Sequence, residues 1–256
     1  MKSEKNAHDL VKKAYGEVAR QQSSCCSGPS PCCEPAPPET AEFVPEADLG
    51  LSCGDPVALS HITPGDIVLD LGSGAGKDVF IAARKTGPTG RVIGIDMTPE
   101  MIDLARKNAE RFRDVAGYDN IEFRHGLIEQ LPVEDESIDL VISNCVINLS
   151  PDKLRVFREI YRVLKPGGKM VVSDIVLNRE LPDELKCDPH LYASCIAGAL
   201  LRDDYIAAVR SAGFPEVDVL KEVVWKAEQA AIDPITTAAT SSLSRAASSI
   251  TLFARK

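Results

Sequence analysis

The ten residues from Ile67 to Gly76, I-V-L-D-L-G-S-G-A-G, constrain the fold of this chain more than any other stretch. An unbroken apolar run reads as a strand buried on both faces, as in a parallel sheet covered by helices on either side. The glycines that follow permit a sharp turn and a close approach of backbone to a ligand, and the helix they feed presents free amides at its first turn. The rest of the chain repeats this alternation. After a first strand at 67–70, further strands are predicted at 92–96, 121–124, 140–144, 170–174, 217–225 and 250–254, with helical segments between. Thr98-Pro99-Glu100 reads as a helix start, with a hydroxyl to cap, proline at the first helical position and an acid in the first turn; Ser150-Pro151-Asp152 repeats it. Lys165-Pro166-Gly167-Gly168 is expected to stop the helix ending near Leu164 and turn the chain into the fifth strand. The fold class is therefore α/β, a doubly wound, mostly parallel seven-stranded sheet.

Three parts are predicted. Residues 1–44 hold a helix over 1–22, with Leu10, Val11, Ala14, Tyr15, Val18 and Ala19 on one stripe, then a flexible arm rich in proline and serine at 23–38. That arm carries Cys25, Cys26, Cys32 and Cys33. Residues 45–180 form the ligand-binding core, and 181–256 complete the sheet. A net charge of -9 argues against nucleic acid as a partner, since phosphate binding needs a basic surface. No stretch approaches the roughly 20 apolar residues of a membrane span, and M-K-S-E-K-N-A-H-D lacks the apolar centre of a secretion signal, so a cytoplasmic protein is expected. Eight cysteines there are candidates for ligands or redox work rather than a disulfide framework. The four histidines, His8, His61, His125 and His190, show no metal-binding spacing.

Asp70 ends the first strand, Gly72, Gly74 and Gly76 follow, and Asp96 ends the second strand, where an acid can accept ribose hydroxyls. The nicotinamide fingerprint G-x-G-x-x-G would need a third glycine where this chain has Lys77. Asp70 is also poorly placed for a pyrophosphate, whereas a carboxylate suits the ammonium or sulfonium end of S-adenosylmethionine. D-L-G-S-G-A-G, G-I-D-M-T, G-L-I-E-Q-L-P and R-V-L-K-P-G-G, in that order over roughly residues 65–175, resemble class I methyltransferases, whose sheet is Rossmann-like. The resemblance implies that Asp70, Gly72 and Gly74 surround the methionine part of S-adenosylmethionine, that Gly76 belongs to the same cofactor-binding site, that Asp96 holds the ribose, and that Met97 packs on the adenine. It extends the cofactor site to Leu127, Ile128, Glu129 and Asn144, and Tyr15 in K-A-Y-G is similar to an N-terminal motif that closes over the cofactor.

Cys145 follows the fourth strand, and the carboxyl ends of the first and fourth strands flank the ligand crevice of a doubly wound sheet. L-G-L-S-C-G-D-P around Cys53, S-N-C-V-I-N-L-S-P-D-K around Cys145 and L-Y-A-S-C-I-A-G-A-L around Cys195 together resemble arsenite methyltransferases. Trivalent arsenic is soft and prefers thiolates to oxygen ligands. The resemblance implies that Cys53, Cys145 and Cys195 hold arsenic with its lone pair facing the sulfonium methyl, and that a further thiol helps return reducing electrons as a protein disulfide. Cys32 and Cys33 are the candidates for that thiol. A thiol reductant, glutathione or a thioredoxin-like partner, would reset the enzyme.

Other readings stay open. The arm cysteines also fit an arsenic-delivery tail or a simple linker, and Cys187 falls outside the matched strings. A quinone or other small carbon or oxygen acceptor would keep the fold, but it usually needs a base, and no well-placed histidine is evident. A non-catalytic arsenic- or soft-metal-binding thiol protein is the alternative of another class. The extra C-terminal domain that longer members of the resembled family carry is expected to be absent.

Overall fold

A computed structural model describes residues 4–21, 44–52, 54–186, 189–225 and 245–256. The predicted arm and Cys25, Cys26, Cys32, Cys33, Cys53 and Cys187 lie outside the described residues. The strands are β1 (Ile67–Leu71), β2 (Arg91–Asp96), β3 (Ile121–His125), β4 (Ile138–Asn144), β5 (Leu164–Leu177), β6 (Glu216–Val224) and β7 (Ala247–Arg255). They form one seven-stranded sheet in the order β3-β2-β1-β4-β5-β7-β6. β1 to β5 pair in parallel, and β7 runs antiparallel between β5 and β6. The helices are α1 (Glu4–Gln21), α2 (Pro56–Leu59), α3 (Lys77–Thr86), α4 (Pro99–Ala116), α5 (Lys153–Val163), α6 (Asp183–Lys186), α7 (Pro189–Ala193) and α8 (Arg202–Ser211). No helix among the described residues is long and apolar enough to cross a membrane.

Side chains of a strand alternate between faces, so β1 feeds two cores. Val68 packs with Phe80 of α3 and Phe112 of α4, whose rings stack at 5.5 Å, while Leu69 and Leu71 pack with Phe157 and Ile160 of α5. Burial on both faces explains why this strand is apolar without alternation. From β1 the chain steps outward to β2 and β3, then returns to β4 on the other side of β1. That reversal opens a crevice at the carboxyl ends of β1 and β4. α1 lies at this end, against α4 and α7.

Three local expectations are corrected. β5 begins at Leu164, so Lys165-Pro166-Gly167-Gly168 lies within the strand, and a register shift against Ile138 and Leu140 absorbs it. Thr98 does begin α4, but its side chain makes no capping bond; Asp96 takes both its amide, at 2.8 Å, and its hydroxyl. At α5 the cap is Asp152, which accepts from the Arg155 amide at 3.0 Å, because the Ser150 hydroxyl is drawn away to Glu129.

Candidate active site

The turn after β1 is folded onto the end of β2 by two amides, Gly72 and Ser73, which donate to the Ile95 carbonyl at 2.7 and 3.0 Å. Glycine is required at two places. At Gly72 (φ 67°) a Cβ would lie 2.3 Å from Val146, and at Gly76 (φ 100°) it would lie 2.7 Å from the Phe80 ring. Gly74 meets no such wall, and its amide donates to Asp96 at 3.0 Å.

Above this turn lies a cavity with about 970 Å³ of empty space, part of it open to solvent. Among the residues named from sequence, Asp70, Gly72, Gly74, Asp96 and Met97 line its β1–β2 side. Tyr15, Ile128, Glu129, Asn144 and Cys145 line the remainder, whereas Gly76, Leu127 and Cys195 do not reach it. Cys32, Cys33 and Cys53 lie outside the described residues.

The cavity is acidic at its floor. Burial, reinforced by the charges of Asp78 and Asp96, pushes the Asp70 carboxyl well above its usual range. Burial raises Asp78 to about 6, against opposing help from Asn144 and Lys77. Burial also raises Asp96, although bonds from Thr98 and Gly74 pull the other way. Three carboxyls in one buried space repel when ionised, and a bound cation would relieve that repulsion. The Ser73 hydroxyl, buried beside Asp70 in the cavity wall, has no hydrogen-bond partner. An acidic floor, an unpaired hydroxyl and an open Gly74 fit a cationic nucleoside with polar groups, which is what S-adenosylmethionine is. They do not fit a pyrophosphate.

Sequence reasoning missed several cavity residues. His8 lies on the inner face of α1 with Val11 and Tyr15, and its Nε2 is 3.0 Å from Glu129 Oε1. The Ser150 hydroxyl donates to the same oxygen at 2.5 Å, and Glu129 is buried. A histidine is therefore well placed after all; the spacing of 8, 11 and 15 on one helical face was the available signal. Lys77 pairs with Asp48 at 3.3 Å, and Asp78 accepts from Asn144 at 3.0 Å.

Cys145 and Cys195 converge beside the cavity. Cys145 leaves β4 with φ 60° and donates its amide to Ser173 O at 2.8 Å. Cys195, at φ 63°, points its thiol at Cys145 O, 2.8 Å away. Left-handed backbone is uncommon for side-chain-bearing residues and tends to occur where a site dictates it. Cys145 is disulfide-bonded, and Cys195 is a buried thiol. Tyr15, from α1, reaches over to donate to Ala193 O at 3.2 Å, next to the Cys195 turn.

The sheet order, the glycine turn at the β1–β4 crevice and the acidic nucleoside cavity define a Rossmann-like methyltransferase. Residues 62–233 match the family model described as "Methyltransferase domain". The chain belongs to that family. It is 44% identical over 230 residues to the arsenite methyltransferase of Halobacterium salinarum and 38% identical over 225 residues to that of Aquipseudomonas alcaligenes. These alignments take in 82% and 84% of this chain, which spans 58% and 64% of the two relatives' lengths. The crystal structure of CrArsM, an arsenic (III) S-adenosylmethionine methyltransferase from Chlamydomonas reinhardtii, superposes with a TM-score of 0.70 at 38% identity, covering 87% of this chain and 74% of that one.

Proposed function

We propose that this chain transfers a methyl group from S-adenosylmethionine to trivalent arsenic held by the thiolates of Cys53, Cys145 and Cys195. The observation that carries this reading is the approach of the Cys195 thiol to Cys145 at the edge of a cavity lined by the buried carboxyls of Asp70 and Asp78 and the half-buried one of Asp96. The family relationship supports it, since the relatives named above are arsenite methyltransferases.

Three thiols exchange with arsenous acid to give three arsenic–sulfur bonds and three waters, so the thiol protons leave without a general base. S-adenosylmethionine, when bound, supplies a methyl on a sulfonium sulfur that departs with the electron pair of the broken bond. Arsenic donates its lone pair to that methyl and is formally oxidised to the pentavalent state. The chain contributes position: Asp70 and Asp78 would offset the cofactor's positive charge, Asp96 would accept from ribose, and Tyr15, Met97, Ile128 and Glu129 would enclose the base. Holding both partners in line lowers the barrier by removing the entropy of encounter. Two thiolates then close to a disulfide, and their two electrons return arsenic to the trivalent state. One of the two is assigned to Cys32 or Cys33. Glutathione or a thioredoxin-like protein re-reduces the pair, which suits the cytoplasm, where thiols are kept reduced.

One observation favours a second reading. The His8–Glu129 pair on the cavity wall offers the base that a carbon or oxygen acceptor would need. Replacement of His8 by alanine separates the two. Arsenite methylation by H8A at near the wild-type rate supports the thiolate reading, and its loss together with methylation of a quinol by wild type supports the other.

A further inference from the structure

The chain neighbours of Cys53 are held from both sides, by Lys77 directly on one side and on the other by Asn144, which is itself bonded to Asp78. Lys77 and Asp78 open α3, directly after the cofactor turn. Upstream of Cys53, the Lys77 ammonium donates to the Ser52 hydroxyl at 3.3 Å and pairs with Asp48 at 3.3 Å. Downstream, the Asn144 side-chain amide donates to Gly54 O at 2.9 Å and to Asp78 Oδ2 at 3.0 Å. Asn144 immediately precedes Cys145. Gly54 is also pressed against β5, where a Cβ would come 2.8 Å from the Ser173 hydroxyl, and Ser173 O is the acceptor for the Cys145 amide. These partners are sheltered: the Lys77 side chain is 14% exposed and Asp78 is buried. Hydrogen bonds to charged groups at such sites hold geometry far better than exposed ones.

From this juxtaposition we infer that Lys77 and Asp78 are positioning residues for the acceptor: the first turn of α3 fixes the segments bearing Cys53 and Cys145 relative to each other and to the cofactor turn. The inference rests on the proposed thiolate site, but its physical content is the relative placement of two thiols, which can be read without arsenic. The arrangement also joins the two half-reactions. Both residues line the cofactor cavity, so the same helical turn meets the methyl donor on one side and braces the acceptor loop on the other. Neither residue has to touch arsenic for this to matter.

The test uses the full chain in glutathione redox buffers, where the effective concentration of Cys53 toward Cys145 is measured from their disulfide by peptide mapping, alongside S-adenosylmethionine affinity by calorimetry. Lys77→Met and Asp78→Ala each remove one arm of the brace and are expected to lower that effective concentration about tenfold, the size of one charge-assisted hydrogen bond. Arsenite KM should rise in the same proportion while kcat changes less. Lys77→Arg and Asp78→Asn, which keep a donor and an acceptor respectively, should restore the thiol pair; Asp78→Asn separates bracing from charge. Should Asp78→Ala fail to fold, the Lys77→Met and Lys77→Arg pair decides alone. Wild-type effective concentration in Lys77→Met, or a fall there matched by an equal fall in cofactor affinity, would overturn the inference. A wild-type protein that closes the disulfide readily yet never methylates arsenite would defeat the functional reading and leave the brace standing.

Discussion

The thiol of Cys195 donates to the backbone carbonyl of Cys145 across 2.8 Å, bringing together two cysteines that are 50 residues apart in sequence. One sits on the turn leaving β4, the other on the turn after α7, and both hold left-handed backbone. The reduced protein is expected to bind one arsenite per chain and to lose three titratable thiols on doing so. Cys195→Ser should weaken arsenite binding at least a hundredfold, because an oxygen ligand is a poor partner for a soft ion. Calorimetry with arsenite, paired with thiol counting, checks both numbers; an unchanged affinity in Cys195→Ser would remove this residue from the site.

Cofactor binding should strengthen with pH. The carboxyls of Asp70 and Asp78 are raised in the folded protein, Asp78 to about 6, so at lower pH they are protonated and offer less to a cation. Binding of S-adenosylmethionine then releases protons, and its affinity should climb as pH rises through about 6. S-adenosylhomocysteine, which lacks the sulfonium charge, should show a shallower climb. Asp70→Asn is expected to lower S-adenosylmethionine affinity by roughly 1.5–3 kcal/mol, the range for a charged hydrogen-bond partner. Calorimetry across pH tests this, and parallel profiles for the two ligands would contradict it.

Stability should move the other way. Burial raises Asp174 to about 7 from the ordinary 3.8, against bonds from Ile175, Tyr205 and Asn148 and the nearby Lys153 charge. A group that holds its proton more tightly when folded contributes stability at low pH, and that contribution is lost as pH rises between the two values. The ligand-free protein should therefore lose stability from about pH 5 to pH 7, and Asp174→Asn should flatten that slope. Denaturant melts at several pH values decide it.

Activity should depend on prior reduction. Cys145 is disulfide-bonded in the structure, and arsenic needs its thiolate. Protein stripped of small thiols should give no methylated product until glutathione or a thioredoxin system is added. Full multiple-turnover activity without any thiol would contradict the proposed return of electrons through protein sulfur.

Much of the fold was readable because its signals are local. Apolar runs ending in glycine or aspartate located β1 and β2, and the order of strands and helices implied the parallel sheet. Asp70, Asp96 and Cys145 were legible for the same reason, since each closes a strand at the crevice. What escaped was set by distant partners. Nothing near Ser150 tells that its hydroxyl is taken by Glu129, nor does anything near His8 point to the same carboxylate, 121 residues away. The bracing role of Lys77 and Asp78 was hidden likewise: local sequence showed Lys77 only as a departure from a glycine pattern, and its partners Asp48 and Ser52 precede β1.

The most direct test of the three-thiolate account is arsenic speciation after a single turnover, run with wild type and with Cys53→Ser, Cys145→Ser and Cys195→Ser under reducing conditions. Wild type should convert arsenite to a methylated arsenical with one S-adenosylhomocysteine formed per methyl, and each serine variant should bind S-adenosylmethionine yet leave arsenite unmethylated. Methylated arsenic from all three variants at wild-type yield would contradict the account.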